Sequence, residues 1–146
     1  MSGARPLAAG LTASLSVATG YLPIAFSFGV AAVQAGLAPS IAVLASVLVY
    51  AGASQFLLIS LLASGAGLWT ALPTVLLMNA RHVLYGPALM KAAGADAATK
   101  HAWAWAWGLT DEVFGASLGE LARGRRFSEA FMFGIGLAAY ASWIAG

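Results

Sequence analysis

The chain contains no cysteine, so disulfides, thiolate metal sites and cysteine nucleophiles are excluded together. Histidine is nearly as scarce: His82 and His101 alone could hardly complete a protein-only zinc site. Charge is scarcer still for the length. Lys, Arg, Asp and Glu make up 8% of the 146 residues, where a soluble domain carries about 25%. From Pro6 to Ala80, more than half the chain, there is no charged side chain at all. A stretch that long in water must cover itself with solvated groups, and this one has almost none. The formal net charge of +2 is too small and too scattered to form the basic stripe that nucleic acid requires. Arg5 is the lone basic residue ahead of the first apolar run, and that run never gives way to a polar domain, so a cleaved signal peptide is not expected.

What is present is hydrocarbon. Hydrophobic residues make up 61% of the chain, and at about 20 residues per bilayer crossing they fall into five segments. These run from about Leu7 to Gln34, Ser40 to Ala63, Leu68 to Met90, His101 to Leu121, and Ser128 to Gly146. The pattern predicts an all-α, polytopic membrane protein, a single transmembrane domain over 1–146 with about five transmembrane helices, some broken by Gly and Pro. With five crossings, Arg5 and the arginines at 123, 125 and 126 fall on one side and Lys91 and Lys100 on the other. That bias places the N-terminus in the cytoplasm. The fifth segment is at the short limit for a span and has no polar tail, which predicts an architecture continued by helices removed or supplied by another chain.

Polar residues at depth are the candidates for function, because hydrocarbon offers them no partners. Gly20-Tyr-Leu-Pro23 and Ala51-Gly52-Ala-Ser54 interrupt the first and second segments near their middles. A single such break is either a packed kink or an unwound turn; two in succession favour a cavity where free backbone groups meet a solute. Gln55 lies beside the second break and needs hydrogen-bond partners there, as helix glue or as a lining residue. On a helix, Asn79 shares a face with His82, and Arg81 with Tyr85. Arg81 cannot shed its proton and at depth needs an anion or a carboxylate, unless it snorkels to the interface. Asp111 and Glu112 sit near the centre of the fourth segment, where adjacent carboxylates must be paired, protonated or wet. One could pair with Arg81 and the other take a proton or a substrate ammonium. Trp103 and Trp105 fit an interfacial aromatic belt, while Trp107 shares a helical face with Asp111. No Gly-x-Ser-x-Gly elbow, His-Glu-x-x-His or phosphate loop is present, and a Ser54–His82–Asp111 relay rests on nothing but composition. No catalytic residue, metal or cofactor is predicted, and the chain is not expected to be an enzyme.

Three motifs stand in order: Tyr50-Ala-Gly-Ala-Ser-Gln-Phe56, then Asn79-x-Arg-His-x-Leu-x-Gly86, then Thr110-Asp-Glu-x-Phe114. With Gly20-Tyr-x-Pro23 and Phe26-x-x-Gly29 ahead of them, the chain resembles the AzlC family, the large subunit of bacterial branched-chain amino acid exporters. The resemblance implies export of valine, leucine and isoleucine across the cytoplasmic membrane, with a small AzlD-type membrane subunit as partner. Members of that family are generally longer at the C-terminal end. The expectation is therefore a secondary transporter working by alternating access around broken helices one and two. Arg81 or the amides at a break would hold a substrate carboxylate, and Asp111 or Glu112 an ammonium or a coupling proton. In another arrangement Arg81 and Asp111 form a gate with each other. The competing reading is a non-transporting membrane scaffold or assembly subunit.

Overall fold

A computed structural model describes residues 4–146, and among them every regular element is helical. In chain order these are α1 (Ala4–Ala13), α2 (Leu15–Gln34), α3 (Pro39–Val49), α4 (Gly52–Ala63), α5 (Leu68–Asn79), α6 (His82–Ala93), α7 (Ala102–Trp107), α8 (Asp111–Ala122) and α9 (Glu129–Ala145). Of these, α2 alone is long and apolar enough to cross a membrane as one helix.

The first apolar segment is nearly continuous. Pro23 lies inside α2, which runs on without unwinding. Pro23 has no N–H to give the Thr19 carbonyl, so one ladder bond is lost, while one turn further on the Ser27 hydroxyl donates to the Pro23 carbonyl at 2.8 Å. In apolar surroundings, keeping every other backbone bond is worth more than opening the turn. The interruption expected at Gly20–Pro23 is thus a feature of sequence and not of structure. The seam lies instead at Ser14, between α1 and α2.

The second segment behaves differently. Gly36, at φ +89°, closes α2 with the bonds Gly36 N–H to Val33 O and Leu37 N–H to Ala32 O, and Pro39 opens α3. Helix α3 then runs back along α2 as far as Tyr50, which adopts a left-handed conformation (φ 43°). From Gly52, α4 reverses direction. Ala42 of α3 and Ile59 of α4 share one apolar cluster with Phe28 and Ala32, and Gln55 Nε2 donates across to Ser46 Oγ. These pairings close a helical hairpin whose tip is Tyr50–Ala51.

The third segment traverses the molecule. Ser54 of α4 meets Asn79 at the end of α5. Ala80 and Arg81 form a tightened turn with i→i−3 bonds, and α6 continues onward until Gly86 passes Ala106 of α7.

The fourth segment is a second hairpin, entering from the opposite end. Helix α7 runs alongside α9 in the same direction, with His101 beside Glu129 at its start and Gly108 against Gly136 at its tip. Gly108–Leu109–Thr110 turns the chain, and α8 returns until Arg125 lies over the Phe131 ring at 4.6 Å. Helix α9 runs parallel to α1 and α2. Gly10 touches Gly134 near one end, and Gly146 reaches Leu22 and Ala25.

Five end-to-end segments are therefore corrected: two traverse, two double back at mid-depth, and α9 runs from the charged end to one turn beyond Trp143, where Gly146 meets Leu22 and Ala25. Hydropathy reports only that a segment is apolar, and a broken helix returning on itself is as apolar as one that continues. The charge map changes with it. Arg5, Lys91, Lys100 and the loop arginines at 123, 125 and 126 all lie at one end. The turns 35–38 and 64–67 at the other end carry no charge.

Because the chain has no cysteine, single cysteines can report this arrangement with a membrane-impermeant maleimide. Ala95→Cys and Arg126→Cys should label from one side and Ser64→Cys from the other. Labelling of Ala95→Cys and Arg126→Cys from opposite sides would restore five crossings. Packing gives a second test. A Cβ at Gly134 would stand 2.3 Å from the Leu7 carbonyl oxygen, whereas one at Gly115 would meet nothing within 4 Å. Gly134→Leu should lower stability by about 3 kcal/mol or more, and Gly115→Ala should raise it by about 0.5 to 1 kcal/mol, read as thermal unfolding in detergent.

Candidate functional site

The two hairpin tips meet at mid-depth. Tyr50 packs against Trp107 (ring centroids 5.8 Å apart) and edge-on against Tyr140 (4.9 Å), while Tyr140 Oη donates to the Val47 carbonyl at 2.8 Å. This aromatic cluster holds the left-handed turn, a conformation that costs a bulky residue about 1–2 kcal/mol. Gln55, expected either to glue or to line, is fully buried. Its Oε1 accepts from the Ala51 amide (3.2 Å) and from Trp143 Nε1 (3.1 Å), pinning α9 to the break. A side chain at Gly52 would meet the Trp143 ring at 2.7 Å, so only glycine fits there.

Beside the tips lies a cavity of about 250 Å³, roughly the volume of eight liquid waters. Of the residues singled out from sequence, Gly52, Ser54, Arg81, His82, Asp111 and Glu112 line it. Asn79 stands one layer behind, accepting from Ser54 Oγ. Gly20 lines a neighbouring groove with Glu112, and Pro23 faces outward. Tyr21, Ile24, Ala53, Phe56, Thr110 and Trp143 also line the cavity and were missed. Four of them carried a signal, and Ala53 and Phe56 did so as members of the Tyr50–Phe56 motif. Tyr21 belongs to the Gly20–Pro23 motif, and Thr110 is an N-cap residue before two carboxylates. Trp143 had none, since its role depends on how α9 packs.

The electrostatics divide the two carboxylates. Arg81 Nη2 lies 2.8 Å from Asp111 Oδ2, and Tyr85 Oη donates to Asp111 Oδ1, so both oxygens of Asp111 are engaged. The pair is nevertheless 43% and 41% exposed, which leaves it open to the cavity and to any neighbouring chain. Glu112 has no cationic partner among the described residues. Its Oε2 accepts from Tyr21 Oη at 2.6 Å. Tyr21 also bonds Thr110 Oγ1, which in turn accepts from the Val113 amide at 3.3 Å. Tyr21 has one proton and gives it to Glu112, so Thr110 must donate to Tyr21. The result is an ordered chain from the α8 backbone to the Glu112 carboxylate.

Backbone charge adds to this. Gly52, Ala53 and Ser54 are the first three residues of α4, and their amides have no helical acceptors. These residues line the cavity, and the start of α4 gives that wall partial positive charge. Asp111 and Glu112 occupy the first turn of α8, where the helix favours ionised carboxylates.

Other expectations change once the break at Gly108 is seen. Trp107 and Asp111 belong to different helices, so their shared face disappears. Trp105, read as an interfacial residue, is 2% exposed and donates its indole N–H to Thr99 at 2.9 Å. Trp103 is 80% exposed. Ser54 bonds Asn79, while His82 Nδ1 faces the Asn79 carbonyl at 3.1 Å, so these side chains form no relay with Asp111.

The family model described as AzlC protein matches residues 16–146. The chain is 42% identical, over 99% of its length, to the inner membrane protein YgaZ of Escherichia coli strain K12. It is 35% identical to an uncharacterized membrane protein of Archaeoglobus fulgidus over 94% of the chain, and 35% identical to one of Helicobacter pylori over 91%. It spans 58–59% of the length of these curated relatives. No solved structure matches it. Matched by one family model over residues 16–146, and by membrane relatives over 91–99% of its length, this chain belongs to the AzlC family of membrane proteins.

Proposed function

We propose that this chain forms the substrate-binding part of a secondary transporter exporting branched-chain amino acids across the bacterial cytoplasmic membrane, together with a small AzlD-type subunit. The observation that carries the reading is the mid-depth cavity where the starts of α4 and α8 converge on Arg81, Asp111 and Glu112. Transporters place discontinuous helices at such a point because the free ends bind ions and zwitterions without water. A substrate carboxylate fits the open amides of Gly52 to Ser54. Its ammonium fits Glu112, the carboxylate with no cation beside it. Ile24, Phe56 and Trp143 supply an apolar wall for an aliphatic side chain.

In this reading α1–α2 and α5–α6 cross the bilayer, and α9 enters from the charged end and reaches one turn past the hairpin tips. The α3–α4 and α7–α8 hairpins enter from opposite faces, each closing the path on its own side. Six of the seven basic residues share an end and none lies at the other, so that end, with the N-terminus, faces the cytoplasm. The Arg81–Asp111 pair ties the turn of α5–α6 to the tip of the α7–α8 hairpin and acts as a gate.

Efflux of labelled leucine or valine from vesicles, with and without an AzlD-type subunit, tests the reading. Glu112→Gln should weaken substrate binding and cut efflux roughly tenfold or more, the loss of one charge-assisted contact at depth. Arg81→Lys should retain efflux within a few-fold, because the pair uses a single nitrogen, whereas Arg81→Gln should lose roughly tenfold or more. Membrane-inserted protein with no efflux under any of these conditions would leave an assembly subunit as the better reading.

A further inference from the structure

The charged end of the molecule holds a second concavity, remote from the hairpin tips. A groove of about 780 Å³ lies between the start of α1 and the loop joining α8 to α9. Four arginines line it, at positions 5, 123, 125 and 126, against one carboxylate, Glu120. That carboxylate is fully engaged, its Oε1 by Arg123 Nη1 at 2.9 Å and its Oε2 by Arg125 Nε at 2.8 Å. Arg5 and Arg126 have no acidic partner among the described residues. Glu129 does not offset them. Its oxygens accept from Thr99, from the Lys100 and His101 amides and from the His101 ring, on the other side of α9. Ser128, at the N-cap of α9, also borders the groove, so the first-turn amides add partial positive charge.

The floor is apolar. Pro6 and Ala9, one turn apart on α1, face Phe127 and Phe131, and the Arg125 guanidinium lies over the Phe131 ring. A soluble anion would satisfy the arginines and leave this floor uncovered. A phosphodiester carried on acyl chains satisfies both. We propose that this groove binds the headgroup of an anionic phospholipid, with its phosphate between Arg5 and Arg126 and its first acyl carbons against Phe127, Phe131 and Ala9. Basic recesses between helices at a membrane face suit such headgroups because the lipid neutralises charge that hydrocarbon cannot. The site does not depend on which solute the central cavity carries.

The test uses the purified chain in neutral detergent, reading the thermal unfolding midpoint. The probes are short-chain phosphatidylglycerol, the matching phosphatidylcholine, glycerol 3-phosphate and inorganic phosphate. Phosphatidylglycerol should raise the midpoint, and the other three should not. At about fivefold per arginine, R5Q/R126Q should need roughly 25-fold more phosphatidylglycerol for the same rise. The charge-conserving R5K/R126K should keep most of the effect, and K91Q, at the same end but outside the groove, should match the parent. Equal stabilisation by phosphatidylcholine, or equal weakening in K91Q, would overturn the proposal. So would full stabilisation by inorganic phosphate or glycerol 3-phosphate, which would make the ligand a soluble anion.

Discussion

Where a helix is broken inside hydrocarbon, backbone N–H and C=O groups lose their partners and the surroundings offer none, so the break must be covered by protein or open onto a polar space. The tips at Tyr50–Ala51 and Gly108–Thr110 meet this constraint together. Gln55 caps the Ala51 amide, Tyr140 takes the Val47 carbonyl, and Thr110 caps α8 through the Val113 amide. The start of α4, whose first amides have no helical acceptor, lines the cavity. Tyr21, Tyr50, Trp107, Tyr140 and Trp143 pack around the tips, and the glycines at 52, 108 and 136 let helices approach closely enough for that packing.

The same constraint sorts the charges. Away from the basic end, the charged side chains are Arg81, Asp111 and Glu112, all of them at the depth where the helices are broken. Asp111 is neutralised by Arg81, and Glu112 is held only by hydroxyl hydrogen bonds. One carboxylate thus fixes the geometry of two elements while the other is left for chemistry. That asymmetry between adjacent residues follows from the first turn of α8, which points them in different directions.

Much of this was legible in the sequence. An uncharged stretch of that length admits little but membrane, and the ordered motifs name a family. The polar residues at depth also fall largely on one cavity. Direction was not legible. The segment from His101 to Leu121 has the length and hydropathy of a crossing, and nothing in its periodicity shows that Gly108 reverses it. Pro23 was misleading for the opposite reason, because a helix absorbs one lost hydrogen bond when its neighbours leave room. Trp105 looked interfacial by type and position, yet tertiary packing buries it between Thr99 and Phe127. Gln55 is a structural clamp because Trp143, 88 residues away in the chain, reaches it.

The central claim is that the wall formed by the start of α4 is where solute binds. Maleimide labelling of Ala53→Cys in reconstituted protein tests it most directly, with Ser64→Cys, in the turn at the uncharged end, as the reference outside the cavity. Leucine or valine should slow labelling at position 53 and leave position 64 unchanged, and glycerol should affect neither. Labelling at position 53 that is indifferent to saturating leucine and valine, in protein shown to be folded, would contradict the account.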